Sequence, residues 1–160
     1  MNAHELKTKT LHYWRFTRNG YNYIATEVGK FKSDILVSNG KEIIECEIKI
    51  SKNDLKNDLK KKKHRIYEKP SNWYSSWIPN KFYFAVPADL IELATELVEG
   101  TAYGVILVSD KNFTKRKKEN YCKIVKKAKN IQDNFKKKLH KQIIMRESSE
   151  IIRLRLKMYS

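Results

Sequence analysis

Hydrophobic and polar positions follow two different periods in the first third of this chain. In residues 2–17, Leu6, Leu11 and Trp14 are spaced much as on a helix, and Asn19-Gly20 is a stop signal. Residues 21–28, 31–38 and 41–50 are instead rich in β-branched and aromatic side chains, with glycine between the runs. The pattern predicts one helix followed by three consecutive antiparallel strands.

The middle of the chain alternates helical and strand patterns. Ser51 and Asp54 form a capping-box arrangement at the start of a helix whose apolar stripe is Leu55, Leu59 and Ile66. Residues 68–80 predict a loop, 81–87 a buried strand, 88–99 a helix and 103–109 a second buried strand. A strand, a helix and a strand in that order predict a crossover and a parallel pair.

The last third of the chain gives a mixed pattern. Residues 121–127 predict an edge strand, and residues 131–145 predict a helix because their apolar positions recur every fourth residue. The last ten residues fit a strand and a helix equally well. Together the elements predict an α/β fold with a central mixed β-sheet flanked by helices. We expect residues 1–113 to form its core and residues 114–160 to be a basic C-terminal extension packed on the same domain.

The charge of the chain is strongly asymmetric. It has 34 Lys and Arg against 18 Asp and Glu, a net charge of +16 at pH 7. Residues 1–113 hold 18 basic and 14 acidic side chains, whereas residues 114–160 hold 16 basic and 4 acidic ones. Such a protein is expected to bind nucleic acid, because neutralising phosphates releases condensed counterions. A lysine-rich composition that only serves solubility is the alternative.

Other features exclude several classes of protein. No stretch approaches the roughly 20 apolar residues that cross a bilayer, so no membrane partner is expected. The polar amino terminus is unlike a signal peptide. Cys46 and Cys122 stand alone in predicted strands, which is typical of buried apolar residues rather than of a disulfide or zinc site. These observations predict a cytoplasmic protein.

The second and third strands place acidic residues on one face. With Asn39-Gly40 as a two-residue hairpin loop, Asp34 lies opposite Glu45, and Lys32 lies opposite Glu47. Because side chains alternate with period two, Asp34, Glu45, Glu47 and Lys49 share one face of the sheet. A similar tight turn between the first two strands would bring Glu27 to that face.

Carboxylates this close together repel unless a cation lies between them. Mg²⁺, with Mn²⁺ as a substitute, is the expected cofactor, because it prefers oxygen ligands and commonly binds phosphate as well. Such a metal would activate water and neutralise charge in phosphodiester hydrolysis. A solvated strand face would show the same alternation of charges, so the motif Glu47-Ile48-Lys49 is weak evidence by itself.

The arrangement resembles the PD-(D/E)xK nuclease superfamily, whose core is a helix, a three-stranded meander, a helix and a strand. Asp34 matches its acidic residue, and Glu47-Ile48-Lys49 matches its (D/E)xK motif. More narrowly, residues 26–110 resemble the MmcB-like DNA repair proteins. That resemblance covers about half of the chain, and its most specific parts are the stretch 82–87 and the Asp-Leu pairs at 54–55 and 58–59.

The resemblance implies a restriction-endonuclease-like core and a role for each matched residue. Asp34, Glu47 and the carbonyl of Ile48 would bind the metal, Lys49 would orient water or stabilise developing charge, and Glu27 would be an auxiliary acid. The sequence departs from the family at Ser33, where the superfamily has proline, and at Ile50, where the second serine is expected. In addition, Lys60 is followed by further lysines rather than tryptophan. These departures leave the substrate open.

Basic and aromatic side chains outside this motif are candidates for binding nucleic acid. Trp73 and Trp77 would stack on unpaired bases or, alternatively, close over an edge of the core. Basic runs would follow phosphates, although such runs are often only solvated. The basic candidates are Lys52, Lys60, Lys61, Lys62, Lys63, Arg116 and Lys117.

The sequence therefore predicts a metal-dependent nuclease that hydrolyses phosphodiester bonds in nucleic acid, DNA rather than RNA, in repair or recombination. A catalytically inactive nucleic-acid-binding module with the same fold is the main alternative, and a basic structural protein that binds RNA or another acidic partner is a third. Symmetric cleavage of a four-way junction would require a homodimer.

Overall fold

Short runs of β-branched and aromatic residues form a six-stranded mixed sheet. The structure is a computed structural model, and it describes residues 1–70, 73–114, 116 and 118–160. The strands lie in the sheet in chain order. The first three form an antiparallel meander, β3, β4 and β5 are parallel, and β6 is antiparallel to β5. They are β1 Tyr23–Val28, β2 Ser33–Ser38, β3 Ile43–Ile48, β4 Lys81–Val86, β5 Gly104–Val108 and β6 Cys122–Lys126.

Helices cover both faces of this sheet. The α-helices are α1 Ala3–His12, α2 Lys52–Asp58, α3 Lys62–Glu68, α4 Ile91–Leu97 and α5 Lys137–Lys157. A π-helical turn, Tyr13–Thr17, extends α1, and 3-10 turns occupy Ser75–Trp77 and Ala88–Leu90. The α/β fold with a mixed sheet flanked by helices is therefore as predicted, including the parallel pair β4 and β5 and the edge strand β6.

Three apolar clusters hold these layers together. Leu6 of α1 and Trp14 pack on the face of the sheet that carries Ile35 and Cys46. On the opposite face, Leu55 of α2 packs with residues of α3, α4, β4 and β5. Helix α5 covers β1 and β2 through Leu139 and Ile143. Residues 114–160 thus supply both an edge strand and a packing helix.

The hairpin between β2 and β3 differs from the predicted two-residue loop. Ser38 pairs with Ile43, so the loop has four residues, 39–42, and the amide of Asn39 donates to the carbonyl of Glu42 at 3.3 Å. The side-chain oxygen of Asn39 accepts from the amides of Lys41 and Glu42, which stabilises the wider turn. The predicted register is wrong by two residues, and Asp34 lies across from Glu47 rather than Glu45. An even shift leaves every side chain on its predicted face.

The helix predicted from Ser51 is interrupted. Its cap is confirmed, because the Ser51 hydroxyl accepts from the amide of Asp54 at 3.2 Å. However, the chain turns after Asp58 and restarts at Lys62, with Lys61 in extended conformation. This break brings α3 against the sheet face that carries Glu45 and Glu47.

The last helix begins six residues later than predicted and continues to Lys157, which decides the conformation of most of the ambiguous carboxy terminus. Residues 129–134 are not helical, because their backbone groups bond to other segments. The amide of Ile131 donates to the carbonyl of Asn80, and the Asn80 side chain donates to the carbonyls of Gln132 and Asn134. None of the helices in the described part of the chain is long and apolar enough to cross a membrane.

Candidate functional site

Asp34 and Glu47 meet where β2 and β3 pair. The Ile48 amide donates to Oδ2 of Asp34 at 2.9 Å, and the Asp34 amide points at Oε1 of Glu47 at 3.4 Å. Asp34 is half-buried, whereas Glu47 is buried. Because Ile48 holds Asp34 by its backbone amide, the structure brings these three predicted site residues together.

Lys49 lies beside them. Its amide continues the pairing of β3 with β4 by donating to the carbonyl of Ala85 at 3.1 Å. Its ammonium lies 3.2 Å from Oε2 of Glu47 and 3.0 Å from Oδ1 of Asp58. Lys49 is therefore buried between a predicted site residue and a carboxylate at the end of α2.

A second lysine, Lys63 of α3, contacts Glu47 from the other side. Its ammonium lies 2.5 Å from Oε1 of Glu47 and 2.8 Å from Oε1 of Glu45, and the Tyr67 hydroxyl donates to Oε2 of Glu45. The sequence prediction that Lys63 is a surface residue for nucleic acid is wrong, because its side chain is buried. One signal could have found it: Lys63 follows Leu59 by four residues and so falls in the apolar stripe of the predicted helix.

Sequence reasoning also missed Asp58. This buried carboxylate forms ion pairs through Oδ1 with the ammonium groups of Lys49 at 3.0 Å and Lys61 at 2.5 Å, and its Oδ2 bonds to Nε2 of His64 at 2.8 Å. The other ring nitrogen of His64 bonds to the hydroxyl of Tyr103 at 2.8 Å. A chain of contacts thus links Lys49 to Tyr103, the residue before β5, and it fixes the position of the lysine.

We call these side chains the charge cluster: Asp34, Glu45, Glu47, Lys49, Asp58 and Lys63. Burial raises the pKa of Asp34 to about 6, with Glu47 as a further cause, and the Ile48 amide and Lys49 oppose this shift. Burial acts in the same direction on Glu47, but Lys63 and Lys49 outweigh it and lower the pKa of Glu47 to about 2. Glu47 is therefore the firmly ionised member of the pair.

The lysines of the charge cluster form ion pairs with some of its carboxylates and not with others. Burial lowers the pKa of Lys63, but Glu45 and Glu47 more than offset this and raise it above its usual value. Among the ion pairs of the described residues, Lys49, Lys61 and Lys63 contact Glu45, Glu47 and Asp58, and none contacts Asp34. Asp34 is thus the carboxylate of the charge cluster that lies outside the described ion pairs, and a further cation would stabilise its charged form.

Glu27 does not join the charge cluster. It has φ 50°, and the alternation of β1 breaks there, since Ala25 and Val28 pack in the same apolar cluster. The exposed carboxylate of Glu27 instead pairs with Lys7 of α1 at 2.6 Å. The turn after β1 also has four residues, because Val28 pairs with Ser33.

The other predicted binding residues have mixed environments. Lys52, Lys60, Lys61 and Lys62 are exposed on α2, on α3 and in the turn between them, and Arg116 is exposed in the loop before β6. Lys117 lies outside the described residues. Trp77 is half-buried under Lys138, whose ammonium lies 5.0 Å from the ring centre. In contrast, 89% of Trp73 is exposed, so it does not close over the core.

Comparison with known proteins gives evidence on the fold only. No protein-family model matches the sequence, and no curated protein matches it. The chain is similar in structure to the SPO1766 protein of unknown function from Silicibacter pomeroyi. The TM-score is 0.64 and the sequence identity 16%, and the match covers 100% of this chain and 93% of that one.

Proposed function

We propose that the protein hydrolyses phosphodiester bonds in DNA in a metal-dependent reaction, as a nuclease of the PD-(D/E)xK type. The observation that supports this most directly is the contact between Asp34, Glu47 and Lys49, with Asp34 outside every described ion pair. The element order also supports it. A helix, a three-stranded meander, a helix and a strand, here α1, β1 to β3, α2 and β4, is the core that a restriction-endonuclease-like fold requires.

The residues present fit a hard divalent cation in their chemistry. Within the described residues, no group of three or more His, Cys, Asp or Glu side chains is arranged to hold a metal by itself. Asp34 and Glu47 would supply two carboxylates and Ile48 a carbonyl, and Mg²⁺ usually retains several waters beside one or two carboxylates. The ion, when bound, supplies Lewis acidity and an activated water.

The protein's own groups then have distinct roles. Asp34 is deprotonated at neutral pH, because its pKa is about 6. Lys63 keeps Glu47 ionised, and Asp58 holds Lys49 so that its ammonium can contact a phosphate oxygen or the attacking water. The pKa of Lys49 is raised, since Glu47 and Asp58 more than offset its burial, so it remains a cation throughout.

Cleavage of labelled duplex, single-stranded, flap and four-way DNA in Mg²⁺ or Mn²⁺ tests the proposal. We expect metal-dependent cleavage that Asp34→Ala and Lys49→Ala abolish. Asp54→Ala, an exposed carboxylate on α2, is the matched control and should cleave normally. Glu27→Ala tests the auxiliary acid separately, and full activity of that variant would remove Glu27 from the site.

The second candidate is a nucleic-acid-binding module without activity. It is favoured by the lysines on both oxygens of Glu47, which already neutralise the carboxylate that a metal would need. DNA binding with a steep salt dependence, together with no cleavage of any substrate in either metal, would establish this function instead. Asp34→Ala would then leave the affinity unchanged.

A further inference from the structure

Tyr74 lies against two lysines near the charge cluster, and its neighbour in the chain is a strongly exposed tryptophan. Trp73 exposes 89% of its surface, and Tyr74 follows it in the chain. Leaving a large indole in water forgoes the burial free energy that such a side chain gains in a core. We call Lys30, Lys62, Trp73 and Tyr74 the aromatic surface.

Tyr74 is fixed in this surface by two cations. The ammonium of Lys30 lies 4.7 Å from the centre of its ring and that of Lys62 lies 5.2 Å away. Lys62 also donates to the Tyr74 hydroxyl at 3.2 Å, and this bond, followed by the charges of Lys62 and Lys30, lowers the pKa of Tyr74. The surface therefore combines flat rings with two ammonium groups.

The aromatic surface continues into the charge cluster. Phe31 lies between the two, with its ring centre 6.3 Å from that of Tyr74 and 5.9 Å from that of Tyr67. Tyr67 in turn donates to Glu45, and Lys62 directly precedes Lys63 on α3. Two ring contacts and one hydrogen bond thus connect the aromatic surface to Glu45 of the charge cluster.

A packing role accounts for Trp77 but not for Trp73. Trp77 packs against the apolar cluster of β1, β2 and α5, and Lys138 lies over its ring. Trp73 has no such cover from the residues that the structure describes. The combination of an open ring with lysines suits unpaired nucleotides, because bases stack on aromatic rings without regard to sequence and lysines follow the phosphates. A duplex keeps its bases stacked on each other, so their faces are not open to an aromatic side chain.

We propose that the aromatic surface binds an unpaired segment of a DNA strand beside the site of hydrolysis. Trp73 stacks on a base, while Tyr74 positions Lys30 and Lys62 to contact phosphates. This rests on the proposed function and narrows its substrate class to DNA with a single-stranded part. It predicts that affinity for single strands depends on Trp73, whereas affinity for duplex does not.

Binding measured without metal tests this proposal. Because the proposed cleavage needs a metal ion, the binding is then observed separately from cleavage. Fluorescence anisotropy in chelator gives the Kd for an oligothymidylate of about 12 nucleotides and for a duplex of equal length. We expect Trp73→Ala to weaken single-strand binding roughly tenfold and to leave duplex binding within about twofold. Trp77→Phe is the matched control and should bind both as the wild type does.

The lysines give a second, independent measurement. Lys62→Gln should reduce the slope of log affinity against log salt for the oligothymidylate by about one unit. Equal losses on duplex and single strand in Trp73→Ala, or no loss on either, would overturn the proposal. Cleavage by the wild type with unchanged single-strand affinity in Trp73→Ala would refute the aromatic surface alone. Strong Trp73-dependent binding with no cleavage would refute the nuclease alone.

Discussion

The ammonium of Lys63 lies 2.5 Å from Oε1 of Glu47, and both side chains are buried. This contact joins α3 to β3 at the point where Glu47 also meets Asp34 and Lys49. Each group stabilises the charged form of the other, since the pKa of Glu47 is lowered and that of Lys63 raised despite the burial of both. The arrangement of the candidate site therefore depends on a helix that carries none of the motif residues.

Removal of Lys63 should destabilise the protein strongly. Lys63→Met leaves Glu45 and Glu47 buried without their common cation, and breaking a buried ion pair costs about 3 to 5 kcal/mol. Urea unfolding measures the change. Lys56→Met, on the exposed face of α2, is the control and should change the free energy of unfolding by less than about 0.5 kcal/mol. Similar values for the two variants would contradict the ion pairs described for Lys63.

The stability of the protein should depend on pH through Asp34. Its pKa of about 6 in the folded protein exceeds that of an aspartate in an unfolded chain, about 4, so the folded state binds the proton more tightly. That stabilisation is present at low pH and is lost as the pH rises through about 6. Asp34→Asn does not titrate, so it should gain stability relative to the wild type between about pH 4 and about pH 7.

Unfolding in urea at both ends of this range measures the effect. Asn53→Ala on the exposed face of α2 is a control without a titrating group, and its difference from the wild type should not change with pH. If the free energy of unfolding of Asp34→Asn does not rise relative to that of the wild type as the pH increases, the raised pKa of Asp34 is contradicted.

Asn80 connects β3 to the segment before α5. Its buried side chain accepts from the amide of Ile43 at 2.8 Å and donates to the carbonyls of Gln132 and Asn134. Asn80→Ala leaves these groups unsatisfied, and each costs about 1 to 3 kcal/mol when buried. Thermal unfolding should show a large decrease in Tm, whereas Asn53→Ala on the surface should show little. A small decrease in both would mean that water replaces the lost bonds.

Gly104 should not accept a larger residue. A Cβ at this position would lie 2.3 Å from the ring of Tyr83 and 2.7 Å from the backbone nitrogen of Ala128, both buried. Gly104→Ala is expected to lose at least about 1 to 3 kcal/mol of stability. Gly40→Ala has open space around it and only a backbone cost of about 1 kcal/mol at φ 82°. Chemical denaturation of both variants measures the two losses of stability. An equal loss in Gly40→Ala would contradict the steric conflict described for Gly104.

Nearly all of the sheet could be predicted from the sequence, because the signals for it are local. Alternation with period two placed Asp34, Glu47 and Lys49 on one face, and this survived a wrong hairpin register since the shift was even. The turn length was missed because the side chain of Asn39 bonds to two amides of its own loop. Glu27 was misplaced because its positive φ breaks the alternation on which the prediction relied.

The surroundings of the site were decided by the tertiary structure. Lys63 belongs to a basic run in which each lysine has the same local preference for water. Its spacing from Leu59 is the one local sign of burial, and that spacing does not identify the partners. The break after Asp58 brings this lysine to carboxylates 16 and 18 residues away. Likewise, nothing local distinguishes the exposed Trp73 from the covered Trp77. By itself the sequence determined which residues share a strand face. Which charges are buried together was settled by contacts between distant segments, because burial depends on what packs above a side chain rather than on its neighbours in the chain.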